Sequence, residues 1–284
     1  MPSFKIILAY DGTDYVGWQR QANGVSIQAL IEDALCELDG RAVAVAGAGR
    51  TDSGVHALGQ VAAFTIERSL APDAVARALN ALLPHAIRVM SAEDATPSFH
   101  PRFDARSKTY RYRIWNGEVV SPFERRYAWH VTGALDVEAM AAAARAIEGR
   151  HDFAAFQAAG SDVATTVRDV GESRVVRIAD CGLRIDSGVG VADCGLPKIR
   201  SPKSAIDNES ALRTPQSALL TYEVTGTGFL RHMVRTIVGT LMEIGRGRRP
   251  VEWMAEVVAS RDRVRAGQTA PAAGLFLVRV DYPT

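Results

Sequence analysis

Segments with a two-residue apolar repeat alternate along this chain with segments that repeat every 3.6 residues. That alternation restricts the chain to folds that layer helices on a sheet. Phe4 to Tyr10 follows the first pattern and puts Phe4, Ile6 and Leu8 on one face of a strand. Ser26 is placed to cap a helix in which Ile27, Leu30, Ile31, Ala34, Leu35 and Leu38 share a stripe, and Gly40 stops it. Val43 to Ala46 and Gly59 to Ile66 read as strands. Pro72 opens a second helix, lined by Val75, Leu79, Leu82 and Leu83 and closed by Pro84. Ile87 to Met90 is a further short strand. The order is β-α-β-β-α-β, that of a ferredoxin-like unit.

The remainder repeats this more loosely. Thr109 to Trp115 reads as a strand, and Val137, Met140, Ala141, Ala144 and Ile147 line a helix ending at Gly149. Val167 to Ile178 and Leu219 to Thr225 are strands. Phe229, Met233, Ile237, Leu241 and Ile244 line a long helix, Pro250 to Val258 a further one, and Leu275 to Val280 a closing strand. Asp180 to Gln216 has no sustained period and is rich in Gly, Ser, Pro and Asp, as an insertion or loop would be. The expected architecture is two α+β halves, residues 1–104 and 105–284, with an insertion at about 180–216.

Composition removes several functional classes. At 284 residues, 47% hydrophobic and 23% charged, the chain has the make-up of a soluble globular protein with room for two cores. No run approaches the roughly 20 apolar residues of a membrane span. Met1-Pro2-Ser3-Phe4-Lys5 enters a strand without a signal-peptide pattern, so a cytoplasmic location is expected. Cys36, Cys181 and Cys194 are odd in number and form no CxxC pair, which argues against a disulfide framework or a zinc site. A net charge of +1 makes no global case for nucleic acid. The local case is Arg102, Arg106, Lys108, Arg111, Arg113, Arg125 and Arg126, interleaved with Phe103, Tyr110, Tyr112 and Trp115. That mixture suits phosphate contact and base stacking, and equally a sheet surface with solvated arginines.

Gly47-Ala48-Gly49-Arg50-Thr51-Asp52-Ser53-Gly54-Val55-His56 lies between two apolar runs. Its glycines permit backbone geometry that holds a polar side chain at a fixed, exposed place. No Gly-Lys-Ser/Thr follows, so it is not a phosphate loop of the Walker type, and a strand rather than a helix comes next, unlike a dinucleotide fingerprint. Asp52 has three readings here: a turn aspartate bonded to its own backbone, a metal ligand lacking partners at ligand spacing, or a catalytic carboxylate. The turn alone leaves them open.

Extended through Ala57-Leu58-Gly59-Gln60-Val61, this stretch resembles the active-site motif of the tRNA pseudouridine synthases of the TruA family. Further signatures occur in the same order: Tyr10 to Gln19, Phe99 to Phe103, Tyr110-Arg111-Tyr112, Phe229 to Arg235 and Gly274 to Leu277. The resemblance runs from residue 4 to about 282 and departs at 180–216, where this chain is longer and less regular.

The resemblance implies isomerisation of uridine to pseudouridine at positions 38, 39 and 40 of the tRNA anticodon stem-loop, with neither cofactor nor metal. It also implies two ferredoxin-like (RRM-like) halves whose antiparallel sheets join around a central RNA-binding cleft, in a homodimer. The family's catalytic aspartate falls on Asp52, and its uracil-stacking tyrosine on Tyr110. The arginine that pairs with the carboxylate falls on Arg235, and the aliphatic residue lining the base pocket on Leu275. Arg50 stands close enough to Asp52 to handle a phosphate or the gap left by a flipped nucleotide. His232 and Phe229 read as structural. The alternative is a non-catalytic RNA-binding module of the same topology, which has no use for a carboxylate facing an anionic ligand. A glycoside or nucleoside hydrolase would need a second carboxylate, and none stands out near Asp52.

Overall fold

The computed structural model describes residues 1–158, 160, 163–178 and 218–283, so the expected insertion at 180–216 lies outside the described residues. Strand β1 (Ser3–Tyr10) buries Phe4, Ile6, Leu8 and Tyr10 and leaves the alternate residues half-buried, as its two-residue repeat requires. Helix α1 (Ile27–Asp39) starts where the Ser26 hydroxyl accepts the Ala29 N–H, and ends at Gly40, whose φ of 77° a residue with a Cβ resists. Then come β2 (Ala46–Gly47), β3 (His56–Thr65), α2 (Pro72–Leu82) and β4 (Ile87–Ala95). The rest of the chain forms β5 (Ser107–Asn116), β6 (Trp129–Val131), α3 (Val137–Arg145), β7 (Gly149–Asp152) and β8 (Val167–Ile178). It finishes with β9 (Ala218–Gly226), α4 (Met233–Gly245), α5 (Trp253–Ser260) and β10 (Leu275–Asp281).

All ten strands belong to one sheet, in the order β4-β1-β3-β10-β5-β9-β8-β7, with β2 beside β3 and β6 beside β5. The C-terminal strand β10 occupies the centre. It runs parallel to β3 through Phe276–His56 and Leu277–Ala57, and antiparallel to β5 from Leu275–Tyr112 to Asp281–Ser107. Because register partners share a sheet face, Tyr10, Ala57, Leu277 and Tyr110 line one face across β1, β3, β10 and β5. The apolar sides of the helices and strands merge into one core, in which Tyr112, Tyr222, Phe4, Phe153 and Phe156 are the largest fully buried side chains.

Several boundaries differ from the sequence reading, each for a local reason. Of the run predicted as a strand over 43–46, only Ala46 joins the sheet, because Val45 donates its N–H to Glu32 Oε1 instead. Strand β4 continues to Ala95 along the sheet edge, where most of its side chains are not buried and the apolar signal fades. The short strands β6 and β7, of three and four residues, are too brief for an apolar repeat to mark them. Helix α3 stops at Arg145, and Gly149, at φ 96°, turns the chain into β7. Helix α4 begins at Met233, since His232 takes a left-handed backbone at φ 64°, and this leaves Phe229 outside it. Helix α4 is buried on nearly every side, with Arg235 and Glu243 its only partly exposed residues. No helix among the described residues is long and apolar enough to cross a membrane.

Candidate active site

The loop between β2 and β3 carries Asp52 and is clamped from several directions. The Thr51 hydroxyl pairs with that of Tyr10 at 2.9 Å, and Thr51 O accepts Trp18 N–H at 3.0 Å. Gln60, buried on β3, donates to Gly49 O at 2.8 Å. Gly54 turns the loop at φ 75°. The preceding loop comes so close that a Cβ on Gly17 would lie 2.5 Å from Thr51 O. His56 ties this assembly to the last strand. Ala273 O can only accept, so Nε2 carries the proton and donates to it at 3.1 Å, which leaves Nδ1 to accept Gly12 N–H at 3.1 Å. Burial holds this imidazole below the ordinary histidine value, against the opposing pull of the Asp11 carboxylate.

Asp52 itself stays partly open, with 27% of its side chain exposed. Its Oδ2 stands 3.5 Å from Arg235 Nη1 and 3.6 Å from His232 Nε2. Arg235 is fixed separately, because its Nε donates to Ala270 O at 2.7 Å while Ala270 N–H donates to Arg235 O. A guanidinium suits this double duty, having donors on more than one edge of a rigid plane. The left-handed backbone at His232 turns its ring toward the same carboxylate oxygen. Burial lowers the His232 pKa, Asp52 opposes that, and Arg235, Arg231 and Arg263 add to it.

Tyr110 is buried on β5 against the edge of Phe229, with ring centroids 5.0 Å apart. Burial, then the neighbouring Tyr10 and Asp52, push its hydroxyl pKa up, so it stays protonated. Four tyrosines are buried: Tyr10, Tyr110, Tyr112 and Tyr222. Tyr10 bonds Thr51, Tyr112 bonds Pro271 O and Tyr222 bonds Ser173. Only the Tyr110 hydroxyl has no hydrogen-bond partner among the described residues, so it is free for a ligand. Leu275, also buried, lies in register with Tyr112, one step along β10 from Leu277, the register partner of Tyr110. Arg50 is exposed and has no ion pair among the described residues. The structure thus places Arg235 on Asp52 and Tyr110 beside it, Leu275 on the same sheet face, and Arg50 at the rim.

The sequence reads His232 as structural; the structure brings its Nε2 to 3.6 Å from Asp52, and no apolar stripe signals this because His232 lies just outside α4 on a left-handed backbone. The basic and aromatic stretch also separates into two groups. Arg111 pairs with Glu223 and Arg113 with Glu124, both at 2.6 Å, as a solvated sheet surface would have them. Arg126 stands 3.8 Å from Asp14, and Arg102, Arg106, Lys108 and Arg125 have no carboxylate partner among the described residues.

A family model described as tRNA pseudouridine synthase matches residues 6–104 and 143–283. The chain is 43% identical over 282 residues to a Myxococcus xanthus protein named tRNA pseudouridine synthase A, covering 99% of this chain and 92% of the relative. Proteins of that name from Geobacter sulfurreducens and Solibacter usitatus are each 44% identical, with 99% of this chain and 100% of the relative covered. The chain belongs to the tRNA pseudouridine synthase family. Tyr110 falls between the two matched blocks of the family model but within the span shared with these full-length synthases.

Two outcomes are expected of a synthase built this way. Arg235→Lys should lower the single-turnover rate of pseudouridine formation about a hundredfold, since one ammonium cannot hold both Ala270 O and Asp52. A rate within a factor of about three of the parent would exclude the pairing role. The second outcome concerns pH. The unfolded chain protonates His56 near its ordinary value of 6.5, whereas the folded protein does so only at lower pH. The stability held by neutral His56 is therefore complete above about pH 6.5 and is lost as pH falls below it. Urea unfolding at about pH 7.5 and 5.5 should show a smaller decline for His56→Gln than for the parent.

Proposed function

We propose that this synthase, which isomerises uridine to pseudouridine in tRNA, acts at positions 38, 39 and 40 of the anticodon stem-loop with Asp52 as its catalytic carboxylate. The reaction breaks the C1′–N1 bond and forms C1′–C5. N1 gains a proton and C5 loses one, so the composition is unchanged and no co-reactant is consumed. Positive charge grows on the ribose as C1′–N1 lengthens, and a carboxylate is the group to meet it, by attacking C1′ or by taking the C2′ proton. Arg235 pairs with Asp52 and keeps it aimed. Tyr110 stacks on the freed uracil, and its hydroxyl is placed to relay the C5 proton. Leu275 lines the pocket that holds the loose base, and Arg50 occupies the space of the flipped nucleotide.

The observation that carries this reading is the contrast within the site. A partly open carboxylate is held by two basic side chains beside Tyr110, the one among the four buried tyrosines whose hydroxyl has no partner among the described residues. A mere binder of RNA gains nothing from an anion in that position. The fold reading is two ferredoxin-like halves, residues 1–104 and 105–284, joined where β10 pairs with β3, with the cleft on the sheet face that carries Tyr110. A cytoplasmic homodimer would join two such clefts into a longer basic groove, which suits a chain of net charge +1.

The test is to map pseudouridine in tRNA from cells with and without the gene, then to add the purified protein to the unmodified tRNA. Loss and restoration confined to positions 38–40 are expected. Loss at other positions alone would contradict the placement, and no loss at all would contradict the activity.

A further inference from the structure

One lysine beside the site has no partner. Lys108 lies on the same face of β5 as Tyr110, two residues away, and is only partly exposed. A Cβ built on Gly49 would stand 3.8 Å from Lys108 Cε and 3.8 Å from the Tyr110 hydroxyl. Its ammonium, one bond beyond Cε, is thus held at the mouth of the site, between the Asp52 loop and β5. No hydrogen bond or ion pair reaches it among the described residues. Burial, and then the positive charge of Arg102, pull its pKa down to about 8. Arg102 is itself exposed and without a carboxylate, its guanidinium lying over the Phe103 ring at 5.7 Å. Partial removal from water raises the cost of the Lys108 charge, and the Arg102 charge adds to it, with no carboxylate on either cation among the described residues. A ligand that brings negative charge removes both penalties.

We propose that Lys108 and Arg102 form a subsite for a backbone phosphate of the RNA strand next to the target nucleotide. The inference rests on the reading of the Asp52 site as the place where that nucleotide is held. Arg111 and Arg113 alternate onto the opposite face of β5, where Glu223 and Glu124 satisfy them, and so are not available to a phosphate held beside Tyr110. Phosphate fits the pair at Lys108 better than a base edge does, because an ammonium is a compact point charge with rotatable donors and reads no pattern. The subsite sits beside Tyr110. It would grip the chain flanking a flipped nucleotide and offset part of the unstacking cost.

The test uses the full chain and an unmodified tRNA transcript. Lys108→Met keeps an aliphatic stem facing Gly49 and removes the charge. Its Kd and KM for tRNA are expected to rise about tenfold, as loss of one charge-assisted contact implies. The slope of log K against log salt should become shallower by about 0.7 to 0.9, the share of one phosphate contact. Lys108→Arg should restore both. Arg102→Gln, at an exposed position that does not endanger folding, should show the same loss of slope. A Kd and slope equal to the parent's in Lys108→Met or in Arg102→Gln would overturn the proposal. Failure of the parent protein to form pseudouridine in tRNA would instead overturn the functional reading beneath it.

Discussion

The pairing of β10 between β3 and β5 holds the rest of this molecule in place. The last strand of the chain meets β3 through only two aligned pairs, Phe276–His56 and Leu277–Ala57, and β5 through a much longer run. Without it the first four strands and β5 to β9 would be separate sheets, and the Asp52 loop would have no fixed relation to Tyr110. The joint is reinforced where it is thinnest. His56, at the start of β3, stacks on Phe276 at 4.7 Å and bonds both Gly12 and Ala273. A buried, hydrogen-bonded ring is a costly thing to disturb, so the junction resists shear between the two groups of strands.

That rigidity has a chemical use. In the proposed role, a carboxylate acting on the ribose must hold its position while the detached uracil turns over. The neighbours of Asp52 supply that constraint. Its loop is clamped through Thr51, Gly49 and Gly54, and Arg235 and His232 supply the opposing charge and polarity. Arg235 is effective because its guanidinium reaches Ala270 O and Asp52 at once, from a helix whose other residues, Glu243 apart, are buried. Glycine serves close approach here more than left-handed geometry. Of the three in the motif, Gly54 alone has a positive φ, whereas Gly47 makes room for the Trp18 indole.

The regular elements were largely legible in the sequence because burial follows period. The alternation of Phe4, Ile6 and Leu8, the Ser26 cap with the Gly40 stop, and the span Val167–Ile178 all appear as read. The pieces that were not legible are those where something other than an apolar period decides. Strands β6 and β7 exist only because β5 and β8 offer them edges. Helix α4 starts late because His232 adopts a left-handed backbone, which no apolar stripe records. At the site, periodicity could not connect Asp52 with Arg235 across 183 residues, and the pairing came from motif resemblance alone. His232 escaped because its role depends on the helix start that the sequence misplaced. The unpaired state of Lys108 depends on which residues face it: its register partner on β9 is Gly226, whereas Glu223 lies beside Arg111 on the other face, and that is a property of the fold.

The central claim is that Asp52 carries the chemistry while the surrounding cations carry the binding. Single-turnover pseudouridine formation by purified Asp52→Asn, measured alongside its Kd for the same tRNA, tests it most directly. The account predicts a rate lowered by at least about a thousandfold with a Kd equal to or tighter than the parent's, since one negative charge has been removed from beside an anion. A variant that still converts uridine at a rate comparable to the parent's would contradict it.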